Sequence, residues 1–228
     1  MSTAKPVVFV LCLDQGQQWQ DFFDKMYADQ IDSLSSKYRI VRARKADAAK
    51  RYLANAQNKP IAIIITDPGA AQKSNSGVLD LVKAYVQKGG IAVFMANFSS
   101  FMRPDDMDKL WKEQWGLDWK MADYHRTELH LNRATPSLSP VNLDASYSQK
   151  AVHLKGVPSE NALYLPSSQS RIQSFVFSPE PVDQDQTPAA FVKRGWGWLG
   201  YLGDVNNETG TQKVVMEICR FAAYQAGH

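Results

Sequence analysis

The chain has 228 residues, 44% of them apolar, and its 26 Lys and Arg against 23 Asp and Glu leave a net charge of +3. That length buries a full core and fits one domain carrying an insertion, and so balanced a charge argues against a nucleic-acid surface. There is no apolar run long enough for a membrane span and the start MSTAKPVVFV lacks the pattern of a secretory leader, so a cytoplasmic protein without a membrane partner is expected.

The first hundred residues alternate strand and helix patterns. VVFVLCL, from Val7 to Leu13, is a continuous apolar run, as expected of a strand covered on both faces. Trp19, Phe22, Phe23, Met26, Tyr27, Ile31 and Leu34 follow at helical spacing and predict one amphipathic helix. YRIVRA is the second strand, and Ala49, Tyr52, Leu53 and Ala56 mark the helix after it. The third strand is IAIIIT, Ile61 to Thr66; a helix through Leu79, Val82, Tyr85 and Val86 then stops at Gly89 and Gly90, and IAVFMA is the fourth strand. Such alternation predicts a flavodoxin-like, doubly wound α/β fold, with a mainly parallel sheet and helices on both faces.

From about Asn97 the rhythm changes. RPDDMDKLWKEQWG reads as a helix with Leu110, Trp111 and Trp115 on its core side, ADYHRTELHLN alternates with period two, and polar, proline-containing connectors follow. The stretch at about 103–188 is therefore expected to be a β-rich insertion in the single domain of residues 1–228, placed to shape a site. AAFVKRGWGWLGYLGDVN predicts a hairpin around Arg194 to Gly197, and a last helix starts near Thr211. Cys12 and Cys219 lie in apolar segments and are expected as buried free thiols. The basic cluster RARKADAAKR, Arg42 to Arg51, has no interleaved aromatics and reads as a solvated surface.

Ligands of doubly wound sheets collect beyond the carboxyl ends of the strands, which here gathers the loops DQGQQW, TDPGAAQKSNSG and NFSSFMRP. Asp14, Gln15, Asp67, Asn97 and Ser99 are accordingly the expected ligand-binding residues, and Asp67, Ser99 and His125 the candidates for catalysis. Each has a plainer role open to it: Asp67 before Pro68 and Gly69 suits a tight turn, Asn97 tolerates an awkward backbone, and a serine without a placed base serves as a cap. His125, Glu128 and His130 lie within six residues, but period two puts His125 on the opposite face of a strand from the other two, so no metal site is expected, nor a cofactor. Trp111 and Trp115, four apart on a helix, read as core rather than as a sugar platform.

GGIAVFMANFSSF, AVHLKGVPSENALY and GWGWLGYLGDVNNETGTQKVVMEICRFA resemble, in order and character, the class I glutamine amidotransferase-like superfamily, nearest to its trehalose-utilisation-protein-like members. The resemblance implies an elbow after the central strand that carries a cysteine, with a partnering histidine and glutamate near the C-terminal end of the domain. This sequence departs at both places: residues 94 to 101 hold no cysteine, and YLGDVNNE stands where a His-x-Glu would follow the last strand. The expectation is an amidotransferase-like domain without glutaminase activity that binds a small polar metabolite, carbohydrate-related by analogy, with Asn97 and backbone amides offering hydrogen bonds where a thiolate would attack. The alternatives are a hydrolase or isomerase using Asp67, Ser99 or His125, and a protein-interaction scaffold; a homodimer is compatible with each.

Overall fold

In a computed structural model describing residues 4–13, 16–135, 138–174, 176 and 178–228, with residues 17 and 19 described by backbone alone, a ten-stranded sheet runs the length of the molecule. Its parallel half comprises β1 (Val7–Leu11), β2 (Arg39–Ala43), β3 (Ala62–Ile65), β4 (Ile91–Phe94) and β10 (Gly197–Leu202), in the order β2-β1-β3-β4-β10. All four pairings there are parallel, which is the predicted doubly wound arrangement. The sheet then continues antiparallel through β9 (Ala189–Arg194), β7 (Ala162–Leu165), β5 (Lys120–Leu131), β6 (Ser146–Lys155) and β8 (Gln186–Thr187).

Strands β1, β3 and β4 are buried almost throughout because both faces are covered. One face packs α1 (Gln17–Met26), α2 (Ala28–Lys37) and α7 (Thr209–Gln225), burying Phe23, Tyr27, Leu34, Val214 and Ile218 on Val8, Val10, Ile64 and Val93. The other packs α3 (Ala46–Ala54), α4 (Ser76–Gln87), α5 (Asn97–Phe101) and α6 (Pro104–Lys109), the last running on into a π-helical turn at Leu110–Gln114. Trp111, Trp115 and Trp119 are buried on this second face, Trp111 edge-on to Trp119, Phe94 and Tyr201 and Trp115 edge-on to Phe94, so the core reading of Trp111 and Trp115 holds.

Helix α4 ends as its sequence asks: Gly89 has φ 110°, and the Gly90 amide returns to the Tyr85 carbonyl at 3.0 Å. The hairpin around Arg194 to Gly197 is present as β9–β10, and Cys12 and Cys219 are buried and free. The single helix expected through Leu34 is broken at Tyr27 into α1 and α2, which leaves Phe22 exposed rather than on the core face. No helix among the described residues is long and apolar enough to cross a membrane.

Candidate functional site

The parallel ladder runs past the ends of its strands. Cys12 N donates to Ala43 O and Thr66 N to Leu11 O, each at 3.0 Å, and Met95 N donates to Ile65 O at 2.9 Å. Cys12, Thr66 and Met95 therefore stand side by side at the carboxyl edge, where a doubly wound sheet places its ligands. Above them lies the joint between α1 and α2, with Tyr27 and Gln30 facing down.

At the next residue the chain turns. Ala96 has φ 60° and ψ −127°, a conformation that residues with a Cβ rarely adopt, and α5 opens at Asn97 immediately after it. Backbone strain of this order costs about 1–3 kcal/mol and collects where a side chain must be presented at an awkward angle. A strained strand-to-helix turn of this kind is what holds a nucleophile at the top of a hydrolase sheet. The side chain presented here is a methyl group. The elbow position expected of Asn97 thus belongs to Ala96, and Asn97 is the first residue of the short helix, buried. Sequence alone could not show this, because alanine has no preference for positive φ.

Two residues beyond the Tyr201–Phe94 pair of the β10–β4 ladder are Gly203 and Ala96, so the loop after β10 flanks the elbow. A Cβ on Gly203 would come within 1.9 Å of Val152 O, which explains the glycine: the loop and β6 touch here, with Val152 N donating to Gly203 O at 2.9 Å. Asp204 follows, buried, its carboxylate accepting from the amides of Asn206 and Glu208, both at 2.8 Å. Gln149 Nε2 donates to the Tyr147 hydroxyl at 2.9 Å, which lies 3.1 Å from Thr211 Oγ1. Burial raises the Asp204 pKa above the ordinary carboxylate value, although the amides of Asn206 and Glu208 pull the other way. Asp204 was legible in the sequence only as a departure from His-x-Glu.

Cys12 is no substitute for the missing nucleophile. Its Sγ accepts from Arg42 Nε at 3.2 Å and lies 2.9 Å from Thr66 Oγ1, whose own proton goes to Leu11 O at 2.9 Å. The thiol proton is thus left to point at Thr66 Oγ1, and burial, the largest influence, raises the Cys12 pKa. Arg42 in turn pairs with Asp24.

The other predicted residues are dispersed along this edge. Asp67 accepts the amides of Leu13 at 3.2 Å and Gly69 at 2.9 Å, which makes it the cap of the turn after β3 and a brace to the β1 loop. Ser99 is buried and gives its hydroxyl to Gly203 O at 3.3 Å. Asp14 and Gln15 lie outside the described residues. His125 stacks on His153, with centroids 4.2 Å apart and planes 12° from parallel. His153 Nδ1 stands 3.3 Å from Asp123 O, and since a carbonyl only accepts, the proton sits on Nδ1; the Nε2 atoms of both rings are buried without partners. Burial holds both imidazoles neutral, lowering the His153 pKa to about 4 with help from His125, and lowering that of His125 as well. Glu128 and His130 face outward, as period two requires, and among the described residues no three of His, Cys, Asp and Glu converge to hold a metal. Ser99 and His125 are not hydrogen-bonded to one another: the serine hydroxyl donates to Gly203 O. Beside the elbow a groove of ≈ 430 Å³ opens between the turn after β3 and α5–α6, with Pro68, Leu79 and Leu110 in its floor and Lys73 and Arg103 on its rim.

No protein-family model matches the chain, and no curated protein matches it. Among solved structures it is similar to a ThuA-like protein from Bacteroides uniformis, with TM-score 0.60 and 11% identity over 98% of this chain and 93% of that one. A ThuA-like protein from Parabacteroides merdae gives TM-score 0.57 and 12% identity over 97% of this chain and 90% of that one. The beta-galactosidase from Bacillus circulans sp. alkalophilus gives TM-score 0.55 and 14% identity, with 98% of this chain covering 31% of the enzyme. At such identities what is shared is the fold, and this chain has the class I glutamine amidotransferase-like fold of the ThuA-like proteins.

Proposed function

We propose that the chain is a binding domain of amidotransferase-like fold, without glutaminase activity, that takes a small polar, carbohydrate-related metabolite at the carboxyl edge of its parallel strands. The observation that carries this reading is Ala96: the strained geometry of a nucleophile's elbow is kept while its side chain has no reactive atom. Asp204, beside the elbow, supports it too, since a buried carboxyl braced by two amides stands there and not a histidine that would activate a thiol. The carbohydrate element rests on likeness to ThuA-like proteins and a beta-galactosidase, and so on fold-level analogy. A cytoplasmic location and a homodimer belong to the same proposal.

Two assays test it. Ammonia release from glutamine should stay at the level of a protein-free control, and Ala96→Cys alone should leave it there, because the new thiol would stand beside Asp204, already engaged by two amides, and not beside a histidine. A thermal-shift screen of neutral sugars, sugar phosphates, amino acids and nucleotides should yield a stabilising ligand; at 100 times its dissociation constant the gain is about 2.7 kcal/mol. Glutamine turnover by the unaltered protein, or silence across the whole screen, would refute the reading.

A further inference from the structure

The five parallel strands begin level with one another: Val7 pairs with Arg39, Ala62 with Val8 and with Ile91, and Ile91 with Trp198. The segments that lead into them, residues 4–6, 37–39, 55–61, 87–90 and 193–197, therefore share the amino edge of the parallel half, the end of the sheet opposite the elbow. They carry Lys5, Lys37, Arg39, Lys59, Lys88, Lys193 and Arg194, and no Asp or Glu. All but Arg194 are exposed, and among the described residues none of the seven is paired with a carboxylate. Across five adjacent strands this makes a row of cations about 20 Å long. The balanced total charge hides it, because every acid of the chain lies outside these segments. Lys37 and Lys88 close α2 and α4, where a cation complements the helix end, but Lys5, Arg39, Lys59, Lys193 and Arg194 close no helix.

Two further observations mark this edge as a surface that meets an anion. Trp196, at the tip of the β9–β10 hairpin, is 82% exposed, and its amide is held by Gln87 O at 3.2 Å, so the indole stands out from a fixed backbone. Beside it Arg194 is partly buried; one Nη donates to Lys193 O, but Nε is buried and meets no partner, an open donor on a cation that an anionic oxygen would satisfy. Phe221 of α7 packs edge-on against Trp198 with centroids 5.6 Å apart, so the exposed Tyr224, a turn further on, ends at the same edge. Cations strengthen binding to an anionic bilayer about fivefold each, and an amphipathic ring settles at the level of the headgroups. Neither holds a protein well alone, and together they do. Nucleic acid fits less well: five of the seven cations are Lys, which lacks the guanidinium fork, and no row of aromatics runs between them to stack on bases. We propose that the amino edge of the parallel strands is a peripheral docking surface for an anionic lipid bilayer, held by these seven cations with Trp196 at headgroup depth. The carboxyl edge then faces away from the bilayer, so docking neither requires nor blocks a ligand there.

The test is co-sedimentation of the full chain with phosphatidylcholine vesicles, either pure or with one lipid in three replaced by phosphatidylserine. The chain should sediment with the second kind and not the first, and high salt should release it. Lys59→Ala and Lys88→Ala, both at exposed positions, should each lower the partition coefficient about fivefold, with melting of each variant showing that it folds. Brominated lipid should quench the indole fluorescence of the parent, and Trp196→Ala should both weaken binding and remove most of that quenching, since Trp111, Trp115 and Trp119 are buried. Equal binding to both vesicles, no binding to either, or binding that the three substitutions leave unchanged would overturn the proposal. So would a single-stranded oligonucleotide that binds where the phosphatidylserine vesicles do not, which would assign the edge to nucleic acid.

Discussion

At the scale of single residues, Ala96 and His153 make opposite demands on the fold. Ala96 is buried in a conformation that glycine adopts without strain, so Ala96→Gly should leave stability within about 1 kcal/mol of the parent or raise it, where an ordinary buried alanine would lose that much. Ala96→Val, β-branched at positive φ, should cost about 2 kcal/mol or more; urea unfolding reads both. His153 is neutral in the fold and protonates near pH 6.5 when unfolded, so the unfolded chain binds the extra proton as pH falls. Its contribution is fully present above pH 6.5 and is lost progressively toward about pH 4, by about 3 kcal/mol in all. His153→Phe, which keeps a ring against His125, should flatten that part of the stability profile. An unchanged slope would mean that the imidazole is not held neutral.

Among the elements, the regular half of the molecule was legible and the irregular half was legible only in part. β1, β3 and β4 announce themselves as apolar runs between glycine and polar stops because burial on both faces leaves no other choice of residue. The break at Tyr27 carries no proline or glycine, and the helical hydrogen bonds pass through it, so the periodicity reads straight across. Which strands of the antiparallel half meet was not legible either: the bulge between Met121 and Tyr124 sets the register that brings His125 to His153, and side-chain alternation is silent about such a shift. Asp67, Asn97 and Ser99 do lie at the carboxyl ends of β3 and β4, but the strain at Ala96 and the amides around Asp204 depend on tertiary geometry that no short motif encodes. The contact of β6 with the loop after β10 gives a test at this scale. Gly203→Ala would drive a methyl into the Val152 carbonyl and the Tyr201 hydroxyl, and should lower stability by about 3 kcal/mol; a loss under 0.5 kcal/mol would mean that the two segments are not packed as described.

Taken whole, the molecule is a parallel half and an antiparallel half that folds back to border the carboxyl edge of the parallel strands. Besides the β9–β10 ladder, ties between them include Val152 N to Gly203 O, Val205 N to Lys150 O, Tyr201 Oη to Val152 O at 3.0 Å, and Arg126 paired with Glu208. The antiparallel strands thereby help to fix Asp204 next to the elbow, which is how a methyl group, a carboxyl and the unsatisfied groups of Tyr27, Gln30 and Asn207 come to share one end of the sheet.

Amide chemical-shift mapping during titration with a neutral sugar tests the proposed binding of a small polar molecule at this edge. Such binding would give saturable shifts concentrated at residues 12–16, 27–30, 66–69, 95–99 and 203–208. Saturable shifts centred elsewhere, such as the exposed Trp196 at the tip of the β9–β10 hairpin, or no saturable shifts with any sugar tried, would contradict it.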